Sequence, residues 1–233
     1  MSKKDSVQNS SKRGFLGITG KAGPSTFVAS AAGIILARRM LAYLPLMALP
    51  LGASAVTPSQ PAPPVELVSL DGSRVTTSVL GEKWTILEWT NPGCPFVQKH
   101  YQAGNMQATQ AAAKKAGFQW VQINSTNPSH GDFRPPAAMR AWNAEMKAVV
   151  SHATLDTEGK TGRAYSAKTT PQMVIINPQG VVLYDGAIDS IRSADSADIP
   201  KAKNHVLQAI ADIQAGRPVA EPQTTPYGCS VKY

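Results

Sequence analysis

The sequence has only two cysteines, Cys94 and Cys229, and four histidines in 233 residues. His100, His130, His152 and His205 stand at no metal-ligand spacing from one another or from a cysteine, so no zinc site is expected. No Cys-x-x-Cys occurs, because Val97 stands three residues after Cys94. That excludes a dithiol cycle confined to one short motif. No glycine-rich phosphate loop follows a strand, and no serine nucleophile elbow is present. Aromatic residues make up 6% of the chain, and no Lys/Arg patch interleaved with them follows residue 55. No nucleic-acid partner is expected.

The charge that is present is unevenly placed. The net charge is +8, yet residues 1–55 hold seven of the 23 Lys/Arg and only Asp5 of the 15 acids. The remainder therefore carries 16 basic and 14 acidic residues, close to balance. Arg38-Arg39 precede an apolar run from Met40 to Ala53, which closes on Ala53-Ser54-Ala55. A basic pair, an apolar stretch and a small-x-small end follow the order of an export signal, cleaved near Ala55. The run is short for a membrane span. No stable membrane insertion is expected after cleavage, and an anchor formed by residues 27–53 is the alternative. Export implies a periplasmic or secreted protein in an oxidising compartment, where disulfides persist.

Residues 56–64 read as a Pro-rich linker, 65–215 as one domain, and 216–233 as a Pro-rich, irregular tail carrying Cys229. Within the domain, Val65–Leu70 alternates as a half-buried strand, and Asp71-Gly72 turns the chain toward Val75. Lys83–Trp89 is a more buried strand. Pro95–Ala103 is a helix, interrupted at Gly104-Asn105. Asn105 is expected to cap a second helix, Met106–Ala116, ended by Gly117. Phe118–Asn124 is a strand, and 125–136 a polar loop. Residues 137–150 form a helix with Met139, Trp142, Met146 and Val149 on one face. A short strand follows at 153–155, then a short helix or turn at 157–165. Thr169–Ile176 is a β-branched strand with Pro171 near its start, Val181–Tyr184 pairs back on it, and Ile199–Ala215 is an amphipathic helix. Helix-linked strands imply an α/β fold with a partly parallel sheet covered on both faces.

Cys94 follows a buried strand and precedes Pro95, a residue favoured at the first helical position. The thiol thus stands at a helix N-terminus, where unpaired N–H groups and the dipole favour an anion. The thiolate is the form that attacks disulfides or peroxides. Lys99 and His100 on the following turns add positive charge in this reading, although a solvated His100 is the simpler assignment. The competing reading is a structural Cys94–Cys229 disulfide, since paired cysteines are the rule in exported chains. Glu88, inside an apolar strand, is either an edge-facing acid or a proton relay behind Cys94. Asp156 and Glu158 flank a turn and are read as solvated.

The run Trp89-Thr90-Asn91-Pro92-Gly93-Cys94-Pro95-Phe96-Val97, with Thr170-Pro171 downstream and the ending Pro226–Tyr233, resembles the thioredoxin superfamily. More narrowly, it is similar to the exported, peroxiredoxin-like AhpC/TSA (redoxin) branch. The resemblance spans Val65 to Tyr233. It implies a thioredoxin-like fold, with a central mixed β-sheet flanked by helices. It implies a cis Pro171 facing the reactive cysteine, with Thr170 offering backbone groups to an extended thiol substrate. Cys94 and Cys229 would be catalytic, and Thr170, Pro171, Thr90 and Pro95 would line the substrate site. The function implied is thiol-dependent oxidoreduction. The partners are a thiol electron donor and a disulfide or peroxide substrate, and no cofactor or metal is called for. A non-catalytic binding module with a static disulfide is the alternative. Two departures stand out. Val97 replaces the second motif cysteine, and Thr90 lies four residues before Cys94, where the peroxidatic pattern has a Thr three before it. Arg134, Arg140 and Arg163 are candidates for that pattern's arginine. His130, in the polar loop, is a candidate neighbour of the site.

Overall fold

The computed structural model describes residues 56–233. The export-signal and anchor readings of residues 1–55 lie outside the described residues. Among the described residues, no helix is long and apolar enough to cross a membrane.

In chain order the elements are β1 (Glu66–Ser69), β2 (Arg74–Thr76), α1 (Thr77–Leu80), β3 (Thr85–Trp89), α2 (Pro95–Gln102) and α3 (Asn105–Lys115). Then come β4 (Gln119–Asn124), α4 (Pro136–Glu145), β5 (His152–Leu155), α5 (Lys160–Ala164), β6 (Thr169–Thr170), β7 (Gln172–Ile176), β8 (Val182–Gly186), α6 (His205–Gln214) and β9 (Cys229–Ser230). Seven strands form one mixed sheet in the order β2-β1-β5-β4-β3-β7-β8. β3, β4 and β5 run parallel, joined by helical crossovers, while β7 runs antiparallel to β3 and hairpins into β8. This is the thioredoxin-like α/β arrangement, with helices on the sheet faces.

Successive residues of a strand point to opposite faces. In β3, Ile86 belongs to the core under α2, α3 and α6, with Trp120, Met173, Val206 and Ile210. Its neighbour Leu87 belongs to the opposite core, with Leu67, Val121, Val174 and Tyr165. Both faces are covered, which is why β3, β4 and β7 are buried at every residue. Burying one such aliphatic side chain contributes about 1.5–3 kcal/mol, so the central strands form a stiff platform.

Several boundaries differ from the sequence reading. The helix expected over 137–150 stops at Glu145, because Lys147 takes a left-handed φ of 54°. Only Met139 of its expected stripe is fully buried. Asn105 is not the cap of α3: Gly104 is, at φ 74°, and the Asn105 amide reaches His100 Nδ1 at 2.8 Å instead. The helix expected from Ile199 begins at His205, capped by Asn204, whose side chain accepts from the Leu207 N–H. Pro200 lacks the N–H a continuous helix needs, so 196–201 forms only a 3₁₀ turn. The expected strand 169–176 is two strands, broken at Pro171 and assigned to different sheets. The stretch read as a linker lies along β8, with Ser59 N–H bonded to Val182 O and Ala62 N–H to Gly180 O, both at 2.8 Å.

Candidate redox site around Cys94

The loop that carries Cys94 is fixed by its own sequence. Thr90 N–H still pairs with Ile123 O at 2.9 Å, extending the β3–β4 ladder by one bond. Asn91 then makes a tight turn. Its Oδ1 accepts from Gly93 N–H at 2.7 Å, and its amide donates to Thr126 Oγ1 at 2.9 Å. Asn-Pro-Gly is turn-forming chemistry, and it ends with Cys94 N–H on Asn91 O. Cys94 takes an extended conformation at the cap position and Pro95 starts α2. The Cys94 carbonyl receives the Val97 and Gln98 N–H groups. The sulfur accepts no bond from the helix. It donates to Thr170 O at 3.1 Å, and Cys94 is only 3% exposed.

The Thr170-Pro171 peptide bond is cis. It brings β6 against the sulfur, and among the described residues β6 has a single strand partner, β9. In that antiparallel pair Thr170 lies opposite Cys229, and Thr169 opposite Ser230. Cys229 packs against the core cluster that contains Cys94, and both cysteines line the same opening. Burial, then the hydrogen bond and charge of the Cys94 sulfur, push the Cys229 thiol up to about 12, with Lys232 pulling down and Asp132 adding to the rise. Both cysteines are free thiols. A small opening of about 60 Å³ leads to them, lined by Asn91, Gly93, Asp132, Thr170, Ser230 and Lys232.

The tail is docked. Thr224 bonds Tyr184 and Ala187, Val231 N–H bonds Lys168 O at 3.0 Å, and Tyr233 OH donates to Ala167 O at 2.8 Å. Tyr227, two residues before Cys229, is 4% exposed and donates to Asp189. Its ring meets Phe96 edge-on at 5.8 Å. Asp189 is buried and pairs with Lys99 at 3.5 Å. The reading of His100 as a solvated residue is wrong. It is fully buried, and burial drives it down to about 4, so it is neutral. Asn105 donates to Nδ1, which leaves the ring proton on Nε2, 3.4 Å from the Tyr227 oxygen. Lys99 and His100 therefore serve the tail rather than the Cys94 sulfur.

Glu88 is not at an edge. It lies on the central strand, 0% exposed, and accepts from Trp120 Nε1 at 2.7 Å, Tyr101 OH at 2.8 Å and Gln110 Nε2 at 3.3 Å. Burial outweighs these donors and raises its carboxyl above the ordinary range. Thr90 is 1% exposed, and its hydroxyl lies beside Glu88 without a hydrogen bond of proper geometry. Thr90 and Pro95 are not among the residues lining the opening. Neither are the three arginines: Arg134 bonds Phe133 O, Arg140 bonds Leu70 O, and Arg163 lies over the Tyr233 ring. His130 bonds the Asp132 N–H, so the polar loop reaches the opening through Asp132 instead. Asp156, read as solvated, is 4% exposed and accepts from Ser125 and from the Thr161 and Gly162 N–H groups. Asn91, Asp132, Lys232, Tyr227 and Asp189 were missed as site residues. Asn91 was legible in the Asn-Pro-Gly turn, while the others carry no local signal.

Fold and site together define a thioredoxin-like α/β protein with a buried thiol at a strand-to-helix junction, bonded to the carbonyl of the residue before a cis proline. The AhpC/TSA family matches over residues 58–185. The chain belongs to that family, a thioredoxin-fold redox family. An uncharacterized conserved protein from Geobacillus kaustophilus shares the fold at 23% identity and a TM-score of 0.65, over 77% of this chain and 94% of its own. A hypothetical protein from Sinorhizobium meliloti 1021 does so at 19% identity and a TM-score of 0.64, over 77% of this chain and 96% of its own. No curated protein matches the sequence.

Proposed function

We propose that the protein is a thiol-dependent oxidoreductase that cycles between a Cys94, Cys229 dithiol and a Cys94–Cys229 disulfide. One observation carries this reading: the tail strand sets Cys229 opposite Thr170, whose carbonyl oxygen accepts from the Cys94 thiol. Cys94 is the nucleophile. Its thiolate attacks a peroxide oxygen, expels alkoxide or hydroxide, and becomes a sulfenic acid. The Cys229 sulfur then attacks that sulfur, and its thiol proton leaves with the displaced hydroxide as water. The net change is two thiols and one peroxide giving one disulfide, one alcohol or water, and one water. With a disulfide substrate, Cys94 instead forms a mixed disulfide, and Cys229 displaces the substrate thiolate. An external thiol donor restores the dithiol.

In this proposal residues 1–55 are an export leader, removed near Ala55, and residues 56–233 work as one folded unit outside the cytoplasm. N-terminal sequencing of the exported protein checks the cleavage point. The redox reading is tested by equilibrating the folded chain in glutathione buffers and counting alkylatable thiols by mass. The expected result is one reversible two-electron transition that removes both thiols together. Cys94→Ser should abolish peroxide and disulfide reduction, and Cys229→Ser should leave a trapped sulfenic acid or mixed disulfide. A disulfide that resists mild reductant, with Cys94 inert, would point to a static staple and defeat the proposal.

A further inference from the structure

The strand beside Cys94 is paired along one edge, and the chain supplies that pairing itself. β6 is two residues long, and among the described residues its only strand partner is β9 from the tail. The occupant is an extended segment with a cysteine placed opposite Thr170, so the edge is shaped for a cysteine-bearing strand. The fit is close. Gly228 sits at φ 140°, and a Cβ there would overlap the Thr170 carbonyl oxygen. On either side the segment is pinned by Tyr227 on Asp189 and by Val231 on Lys168. An extended polypeptide bringing a disulfide to Cys94 would add to a free sheet edge. Here it can reach only the outer edge of β9, one strand further away, about 4.8 Å by ordinary strand spacing. The remaining approach is the 60 Å³ opening, and Cys94 is 3% exposed behind it.

We propose that the tail strand is a built-in occupant of the Thr170 edge, which limits the oxidants of Cys94 to small molecules and bars extended polypeptide disulfides while it is seated. Release of the tail, at the Tyr227–Asp189 contact, opens the same edge to a cysteine-bearing polypeptide. The inference rests on the redox reading of Cys94 given above and specifies its substrate class.

The test uses the full chain carrying Cys229→Ser, which keeps the strand and removes the competing thiol. Two probes are compared. Methyl methanethiosulfonate gives Cys94–S–SCH₃ and releases methanesulfinate. A ten-residue peptide with the sequence of residues 224–233, its cysteine activated as the 2-thiopyridyl disulfide, gives a peptide–Cys94 disulfide and releases thiopyridone. Both rates are divided by those of free N-acetylcysteine. The expected peptide-to-small-probe ratio is well below one with the tail seated. Adding Gly228→Ala raises it by about tenfold or more, because the rate follows the fraction of molecules with an open edge. Adding Tyr227→Phe in place of Gly228→Ala raises it by less, and guards against a Gly228 variant that folds poorly. A ratio near one with the tail seated overturns the proposal, as does a ratio that neither variant raises. If Cys94 reacts with neither probe in any variant, the redox reading fails and this inference falls with it. If the small probe reacts and the ratio alone is wrong, only the inference fails.

Discussion

Cys94 and Cys229 both meet Thr170, yet they are held in different ways. Cys94 stands between β3, buried at all five residues, and α2, and its turn is closed by Asn91 within a few residues. Behind it the Glu88, Tyr101, Trp120, Gln110 and Gln122 network ties α2 and α3 to β3 and β4. Cys229 sits in a two-residue strand, held by the Tyr227–Asp189 cluster on one side and by Val231 and Tyr233 on the other. The contrast separates a fixed thiol from one whose position is conditional. Few apolar contacts hold β9, and such segments open at less than the global unfolding free energy. Two thiols secured this differently can lose the placement of the second without losing that of the first.

The largest expected effect tests the fixed side. Glu88→Leu leaves the Trp120 indole and the Tyr101 hydroxyl without their buried acceptor, while the Gln110 amide keeps the Tyr101 oxygen. Each unsatisfied group costs about 1–3 kcal/mol, so destabilisation of about 2–6 kcal/mol is expected. Urea unfolding should show it as one cooperative loss that takes both cysteines together. Early release of the tail alone would break the comparison.

Acid should act next, and on the Cys229 side. The His100 value, about 4 in the folded state, is depressed from 6.5. The unfolded chain therefore binds the extra proton first. Stability is full above pH 6.5 and declines as pH falls toward 4, by on the order of 3 kcal/mol. His100→Gln should flatten that slope in denaturation curves across the window. A slope unchanged by the substitution would remove His100 from the tail cluster. Glu88 has the opposite sign. Its raised folded value means that its contribution falls as pH rises out of the ordinary carboxylate range, and Glu88→Gln should cancel that part.

Tyr227→Phe is smaller and more local. It keeps the ring against Phe96 and removes one hydrogen bond to a charged carboxylate, about 1.5–3 kcal/mol. Hydrogen exchange should quicken over 222–233 while β3 and β4 stay protected. Exchange rising equally in both regions would erase the distinction drawn here. The mildest change concerns charge at the opening. Lys232→Gln should raise the Cys229 thiol further, and Asp132→Asn should lower it, since the two act in opposite directions. The pH profile of Cys229 alkylation in a Cys94→Ser background checks both.

Much of this was legible along the chain because it is local. Runs of β-branched and apolar residues marked the central strands and Pro95 marked the start of α2, while the turn-forming Asn91-Pro92-Gly93 went unread. Those signals act within a few residues, so the strand-to-helix junction at Cys94 could be read directly. Boundaries failed where a single backbone conformation decided them, as at Lys147 and Gly104. His100 and Glu88 were misjudged because burial is a property of what packs from elsewhere. His100 is covered by Tyr227 and Asp189, and Glu88 by Trp120 and Gln110.

The sequence by itself determined the thiol at the strand-to-helix junction and the sheet that carries it. Only the tertiary structure decided that Cys229 shares an opening with Cys94, because that placement depends on a cluster drawn from α2, the loop after β8 and the tail. The tail's own residues, Pro-rich and without periodicity, encode no strand. β9 exists because the Thr170 edge offers it hydrogen bonds and Gly228 lets the two backbones close.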